Sequence, residues 1–217
     1  MDRLEFLSRL TASVRRTDIG AVADAEAETS PAADPDAPAR ELVARFVERA
    51  SAAGAVVART ATRREAEEAV ARLIGERGWR RVVGLPDVPR SDEAGDPALA
   101  DFGLELADWG VAGTGSLLLL SRAGGDRRHS LLPPATGFFV FEHRILATLG
   151  DALRQLGPGP DDLPSCCTFI TGPSSTADIA GHHVVGVHGP VDVFVWVIAE
   201  TDDVPARPIE LPERHEP

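Results

Sequence analysis

Leu42, Val43, Phe46, Val47 and Ala50 recur at three- and four-residue intervals, which predicts a helix beginning near Arg40 and ending at Gly54. Ala66, Ala69, Val70, Leu73 and Ile74 form a second such stripe. Thr62 is placed to cap it, with Glu65 at the reciprocal capping-box position, and Gly75 and Gly78 mark its exit. Residues 55–58 read as a short buried strand between the two helices, and residues 81–85 as a strand after the second. Helix alternating with strand is the rhythm of an α/β protein.

Downstream the period shortens. A strand-like pattern starts at Leu104 and turns at Gly113-Thr114-Gly115, and residues 116–120 and 138–141 are wholly apolar strands. Polar loops are expected over residues 86–97 and 122–128. Ile145, Leu146, Leu149, Ala152, Leu153 and Leu156 predict a third helix, stopped by Gly157-Pro158-Gly159-Pro160. Residues 168–171, 184–187 and 193–198 supply three further strands. The expected architecture is a three-layer α/β domain around a mostly parallel central sheet, spanning residues 40–200. Before it come an amphipathic helix in residues 1–17, with Leu4, Leu7, Leu10 and Val14 on one face, and an acidic Pro/Ala-rich linker over 18–39. Residues 201–217 read as an extended tail.

Composition changes this picture in one respect. The formal net charge of −12 argues against nucleic acid as a main partner, because phosphate neutralisation needs clustered cations. Most of that charge, however, lies in the linker and the tail. Residues 40–199 carry 16 Arg against 20 acidic groups, so a small anionic ligand is not disfavoured there. There is no apolar run of the roughly 18 residues a membrane span needs, and the first residues lack the apolar core of a secretory signal, so a cytoplasmic protein is expected. Cys166 and Cys167 are adjacent. Two such thiols cannot by themselves complete a zinc site or an iron–sulfur cluster, and they read as small apolar residues entering a strand.

Candidate chemistry lies in four places. The turn carrying Thr114, Gly115 and Ser116 offers hydroxyls and close backbone approach, and it matches neither a phosphate-binding loop nor a dinucleotide fingerprint. Gly172-Pro173-Ser174-Ser175-Thr176-Ala177-Asp178 follows a strand. It is expected at the carboxyl end of the sheet, with Ser175 and Asp178 spaced to start a short helix. Gly186-Val187-His188-Gly189-Pro190 places a titratable His188 at another strand end. Arg122, Arg127 and Arg128 precede Ser130 and could grip a carboxylate. Glu142 ends a strand where a nucleophilic carboxylate could sit; its plainer reading is a cap for the helix that follows. No Ser-His-Asp set and no metal-spaced cluster can be assigned.

In this order the motifs resemble the lactate-utilisation protein C family (LutC/YkgG, LUD domain). The resemblance is carried by Ile170-Thr171-Gly172-Pro173-Ser174, then Thr176-Ala177-Asp178-Ile179, then Gly186-Val187-His188-Gly189-Pro190. It extends upstream through Arg128-x-Ser130-Leu131-Leu132-Pro133-Pro134 and the Ala112/Thr114-Gly115-Ser116 turn. It implies a fold similar to the NagB/RpiA/CoA-transferase-like superfamily and an accessory role in oxidising L-lactate to pyruvate. It also implies two partner proteins that hold the iron–sulfur clusters, with no cofactor in this chain. The implied ligand site is Thr114, Gly115, Ser116, Arg128, Ser174, Thr176, Asp178, His188 and Gly189, with His188, Asp178 and Glu142 as catalytic candidates. Where the family often has an acid, an Arg and a His, this chain has Gly113, Ser175 and Thr136. Two other readings stay open: a free-standing enzyme on a phosphosugar, acyl-CoA or folate-like substrate, and a regulatory protein sensing a small carboxylate.

Overall fold

The computed structural model describes residues 38–84, 96–121, 128–156, 164–176, 184–185 and 189–200. The expected N-terminal helix, nearly all of the linker, and the tail lie outside these residues. Helix α1 spans Ala39–Ala52, β1 Val56–Thr60, α2 Arg63–Arg77 and β2 Val82–Gly84. A 3₁₀ turn at Pro97–Leu99 leads to β3 Phe102–Leu106, then β4 Trp109–Val111 and β5 Ser116–Leu120. The one-turn helix α3 is Arg128–Leu131, followed by β6 Ala135–Phe141, a 3₁₀ turn Glu142–Arg144 and β7 Ile145–Leu146. Helix α4 is Leu149–Arg154, and β8 Cys167–Ile170, β9 Ser175–Thr176, β10 Val184–Val185 and β11 Asp192–Ile198 complete the described set.

The central sheet has the order β1-β11-β6-β3-β2, and every pairing in it is parallel. Period-2 alternation along its strands sorts the core into two faces. Phe138, Val140, Val193, Val195 and Val197 face α1, whose Val43, Phe46 and Ala50 are buried against them. Phe139, Phe141, Phe194, Trp196 and Ile198 face α2, where Ala66 and Val70 are fully covered. A second sheet, β7-β4-β5-β8, shares the α1 face: Leu117, Ile145 and Ile170 enter the same cluster. Its outer side meets Ala152 and Leu156, contributed by α4 and the residues after it. The α/β class and the mostly parallel central sheet are as expected.

Four expectations need correction. β1 is an edge strand with Val56 61% exposed, so it is not buried; an apolar run of this length reads alike at a sheet's centre and at its edge. Thr62 does accept from the Glu65 amide, but the Glu65 carboxylate accepts from Ala61 N–H, one residue beyond the reciprocal position. Ile145 and Leu146 form β7, pairing with Gly110 and Val111, and the helix starts only after Thr148. Thr148 and Asp151 make the capping box there. Ser175 and Thr176 form a strand pair with Val185 and Val184, and so do not begin a helix.

Candidate functional site

The last turn of α1 is the platform on which two of the motifs meet. Gly115 has φ +69°, and a Cβ on it would stand 2.2 Å from the Ala50 nitrogen. Gly172 also has φ +69°, and its Cβ would stand 2.0 Å from the Ala53 carbonyl oxygen. Both positions therefore exclude any side chain, by backbone conformation and by space. These glycines serve helix packing, and it is the hydroxyls beside them that remain for chemistry.

Those hydroxyls form an ordered chain. The buried Ser116 hydroxyl donates to Thr114 Oγ1 at 2.8 Å and lies 2.6 Å from Thr171 Oγ1. Ser116 has one hydroxyl proton, so Thr171 must donate the second bond. The protons then run Thr171 to Ser116 to Thr114. The exposed Thr114 keeps its own proton for an outside acceptor such as a carboxylate or carbonyl oxygen.

The third motif joins through the backbone. Ser174 N–H donates to the Pro190 carbonyl at 2.9 Å, and a Cβ on Gly189 would stand 3.1 Å from Ser174 Cβ. β9 and β10 pair antiparallel beside them. Thr176 lies in β9, while Asp178 and His188 fall outside the described residues, as do Arg122 and Arg127.

The cluster does not lie at the carboxyl end of the central sheet. β8 belongs to the second sheet, antiparallel to β5. Gly172 and Pro173 abut the Ala53–Gly54 turn that leads into β1, and Pro190 precedes β11. The hydroxyls thus sit by the amino-terminal edge of the parallel strands.

Arg128 and Glu142 lie on other elements. Arg128 opens α3, whose backbone rests on β3, the strand between β6 and β2. Thr136 is fully buried, and its hydroxyl donates to the Ser130 carbonyl at 3.4 Å. The Glu142 carboxylate receives Arg59 Nη2 at 2.5 Å and Nε at 3.2 Å, and it caps no helix. Two buried charges escaped the sequence reading. Asp108 accepts from Leu120 N–H at 2.8 Å, and Arg144 stacks over Phe141 at 5.7 Å. Only their position, each next to a strand end, could have marked them. Burial, and then the neighbouring Cys166, push the Cys167 thiol up, opposite to the shift a reactive thiolate needs.

Fold and site together define an α/β domain with a parallel core sheet and a small second sheet whose turns present hydroxyls. Residues 95–198 match the family model of the LUD domain. The chain is 34% identical over 125 residues to the uncharacterized protein YkgG of Escherichia coli, covering 56% of this chain and 52% of that protein. It is 38% identical over 114 residues to a lactate utilization protein C of Shouchella clausii, covering 52% and 49%. A lactate utilization protein C of Halalkalibacterium halodurans is 33% identical over 125 residues, covering 56% and 52%. The match thus spans about half the length of the curated relatives. The crystal structure of a DUF162 family protein from Deinococcus radiodurans shares the fold, with a TM-score of 0.52 at 23% identity over 75% of this chain and 99% of that one. The resemblance to the lactate-utilisation protein C family, carried by the motif order, is borne out.

Proposed function

We propose that this chain takes part in lactate utilisation, as the accessory component of a system that oxidises L-lactate to pyruvate. The observation that carries the proposal is the hydroxyl chain Thr171–Ser116–Thr114, which joins motifs 55 residues apart and ends in an exposed donor. A small 2-hydroxy or 2-oxo carboxylate is the ligand such a donor fits. Curated relatives named lactate utilization protein C support the pathway. In this reading two partner proteins carry the electrons, at least one of them through iron–sulfur clusters, and the chain works in the cytoplasm with no cofactor of its own. Among the described residues no helix is long and apolar enough to cross a membrane.

Two experiments test the reading. Deleting the gene is expected to abolish growth on L-lactate while sparing growth on glucose, and the tagged chain is expected to co-purify with its partners. Unchanged growth with no co-purifying partner overturns the accessory role. Calorimetry with lactate and pyruvate tests the ligand: Thr114→Val should weaken binding about tenfold, the value of one hydrogen bond to a charged group. No binding heat with either acid removes the carboxylate site. The reading as a free-standing enzyme gains nothing from Glu142, whose carboxylate is engaged by Arg59.

A further inference from the structure

The hydroxyl chain is built by strand register. β5 and β8 pair antiparallel with Leu117 opposite Ile170, and the same register carried one residue further sets Ser116 opposite Thr171. That cross-strand pairing brings two hydroxyls from distant motifs to 2.6 Å. Thr114 stands on the turn before β5, where the Thr114 and Gly115 amides close on the Val111 carbonyl. Each threonine adjoins a glycine seated on the end of α1: Gly115 follows Thr114, and Gly172 follows Thr171. One helix end therefore holds both threonines, and their separation is set before any ligand arrives. Both are bonded to the same Ser116 oxygen, so their own hydroxyl oxygens stand about 4–5 Å apart. The Arg49, Ala50 and Ser51 carbonyls of that helix end are already paired with the amides of Ala53, Ala55 and Gly54.

The two ends of the chain are not equivalent, because each hydroxyl has one proton and two lone pairs. Ser116 gives its proton to Thr114, and Thr171 gives its proton to Ser116. Both threonines are exposed. Thr171 has only lone pairs left for a ligand, while Thr114 has a proton. We propose that this polarity makes Thr171 a specificity-determining residue that selects a 2-hydroxy carboxylate over its 2-oxo counterpart; the proposal rests on the carboxylate reading above. The hydroxyl of a 2-hydroxy acid donates to Thr171 Oγ1 while a carboxylate oxygen accepts from Thr114. Those two ligand oxygens are separated by two carbons, so one small acid reaches both ends. A 2-oxo acid brings acceptors alone. Its carbonyl oxygen meets the Thr171 lone pairs, or the Thr171 proton turns outward and the buried Ser116 oxygen loses its donor. Either arrangement forfeits one hydrogen bond. In the reaction proposed above, the preference is for substrate over product.

Calorimetry on the full chain with L-lactate, pyruvate and propionate tests the selection. Propionate keeps the carboxylate and lacks the oxygen on its neighbouring carbon. L-Lactate is expected to bind about fivefold more tightly than either, the value of one neutral hydrogen bond. Thr171→Val should bring lactate down to the level of pyruvate and leave pyruvate nearly unchanged. Thr171→Ser, which keeps the hydroxyl, should keep the preference, and Thr114→Val should weaken both acids alike. Lactate binding no more tightly than pyruvate or propionate, or Thr171→Val weakening lactate and pyruvate equally, overturns the selection and leaves the carboxylate site standing. Binding of none of the three acids removes the carboxylate site, and the selection with it. Should Thr171→Val fail to fold, the three acids on the unmodified protein and on Thr171→Ser decide the matter.

Discussion

Ser116 is the residue on which the site turns. It is buried, it bonds two hydroxyls at once, and its proton sets the direction of the chain. Ser116→Ala removes both bonds and leaves two threonines to find water, an expected loss of about 1–2 kcal/mol in a urea titration, with weaker carboxylate binding. Gly115→Ala should be worse. Its Cβ would meet the backbone of α1 with φ in the left-handed region, so a loss of about 3 kcal/mol or more is expected by the same measurement. If Gly115→Ala were neutral, the packing role assigned to that turn would be wrong. Both residues stand out in the sequence, and the structure adds what the missing side chain of the glycine admits. A Gly beside hydroxyls reads as room for a ligand, whereas here it is room for a helix.

At the scale of elements, caps and ion pairs decide where segments stop. The Thr148–Asp151 box starts α4, and Thr148→Ala should cost about 1 kcal/mol. Asp151 is held below the usual carboxylate range, first by the Thr148 hydroxyl, and Asp101 likewise, first by the Arg81 amide. A carboxylate with a lowered folded-state pKa contributes stability above its unfolded value, about 3.9, and loses it as pH falls through the folded value. Acid denaturation of Asp101→Asn should therefore depend less steeply on pH below about 4 than that of the unmodified protein. The Arg59–Glu142 pair is half in solvent, with side chains 52% and 24% exposed, so Glu142→Gln should cost under about 1 kcal/mol on thermal unfolding. A large loss of stability there would mean the pair does more than join β1 to the end of β6.

Across the whole molecule, the described elements pack on the two faces of the parallel sheet: α2 on one, α1 and the second sheet on the other. The described layers share the central sheet, so the chain is expected to unfold in one cooperative transition, as followed by tryptophan fluorescence. Trp79 stacks on Phe102 at 4.8 Å and Trp196 packs edge-on to Phe139 at 5.9 Å, so two indoles report on the α2 face directly. Two separate transitions by that probe would show that the layers unfold independently.

The sequence by itself determined the α/β class, the helical stripes of α1 and α2, the apolar strands and the family resemblance. Each of these is written in local period or local order, and burial reads that period directly. Only the tertiary structure decided which sheet a strand joins. A strand such as 168–171 has the same pattern in a parallel core and in a small antiparallel layer, so pattern alone puts the turn after it at the carboxyl end of the central sheet, whereas β8 pairs antiparallel with β5 in the second sheet. Nor could spacing reveal that Thr171 reaches Ser116, that Glu105 meets His129, or that the turn opened by Arg128 rests on β3. Such contacts join residues distant in sequence, and they exist because packing on α1 and on β3 brings those backbones together.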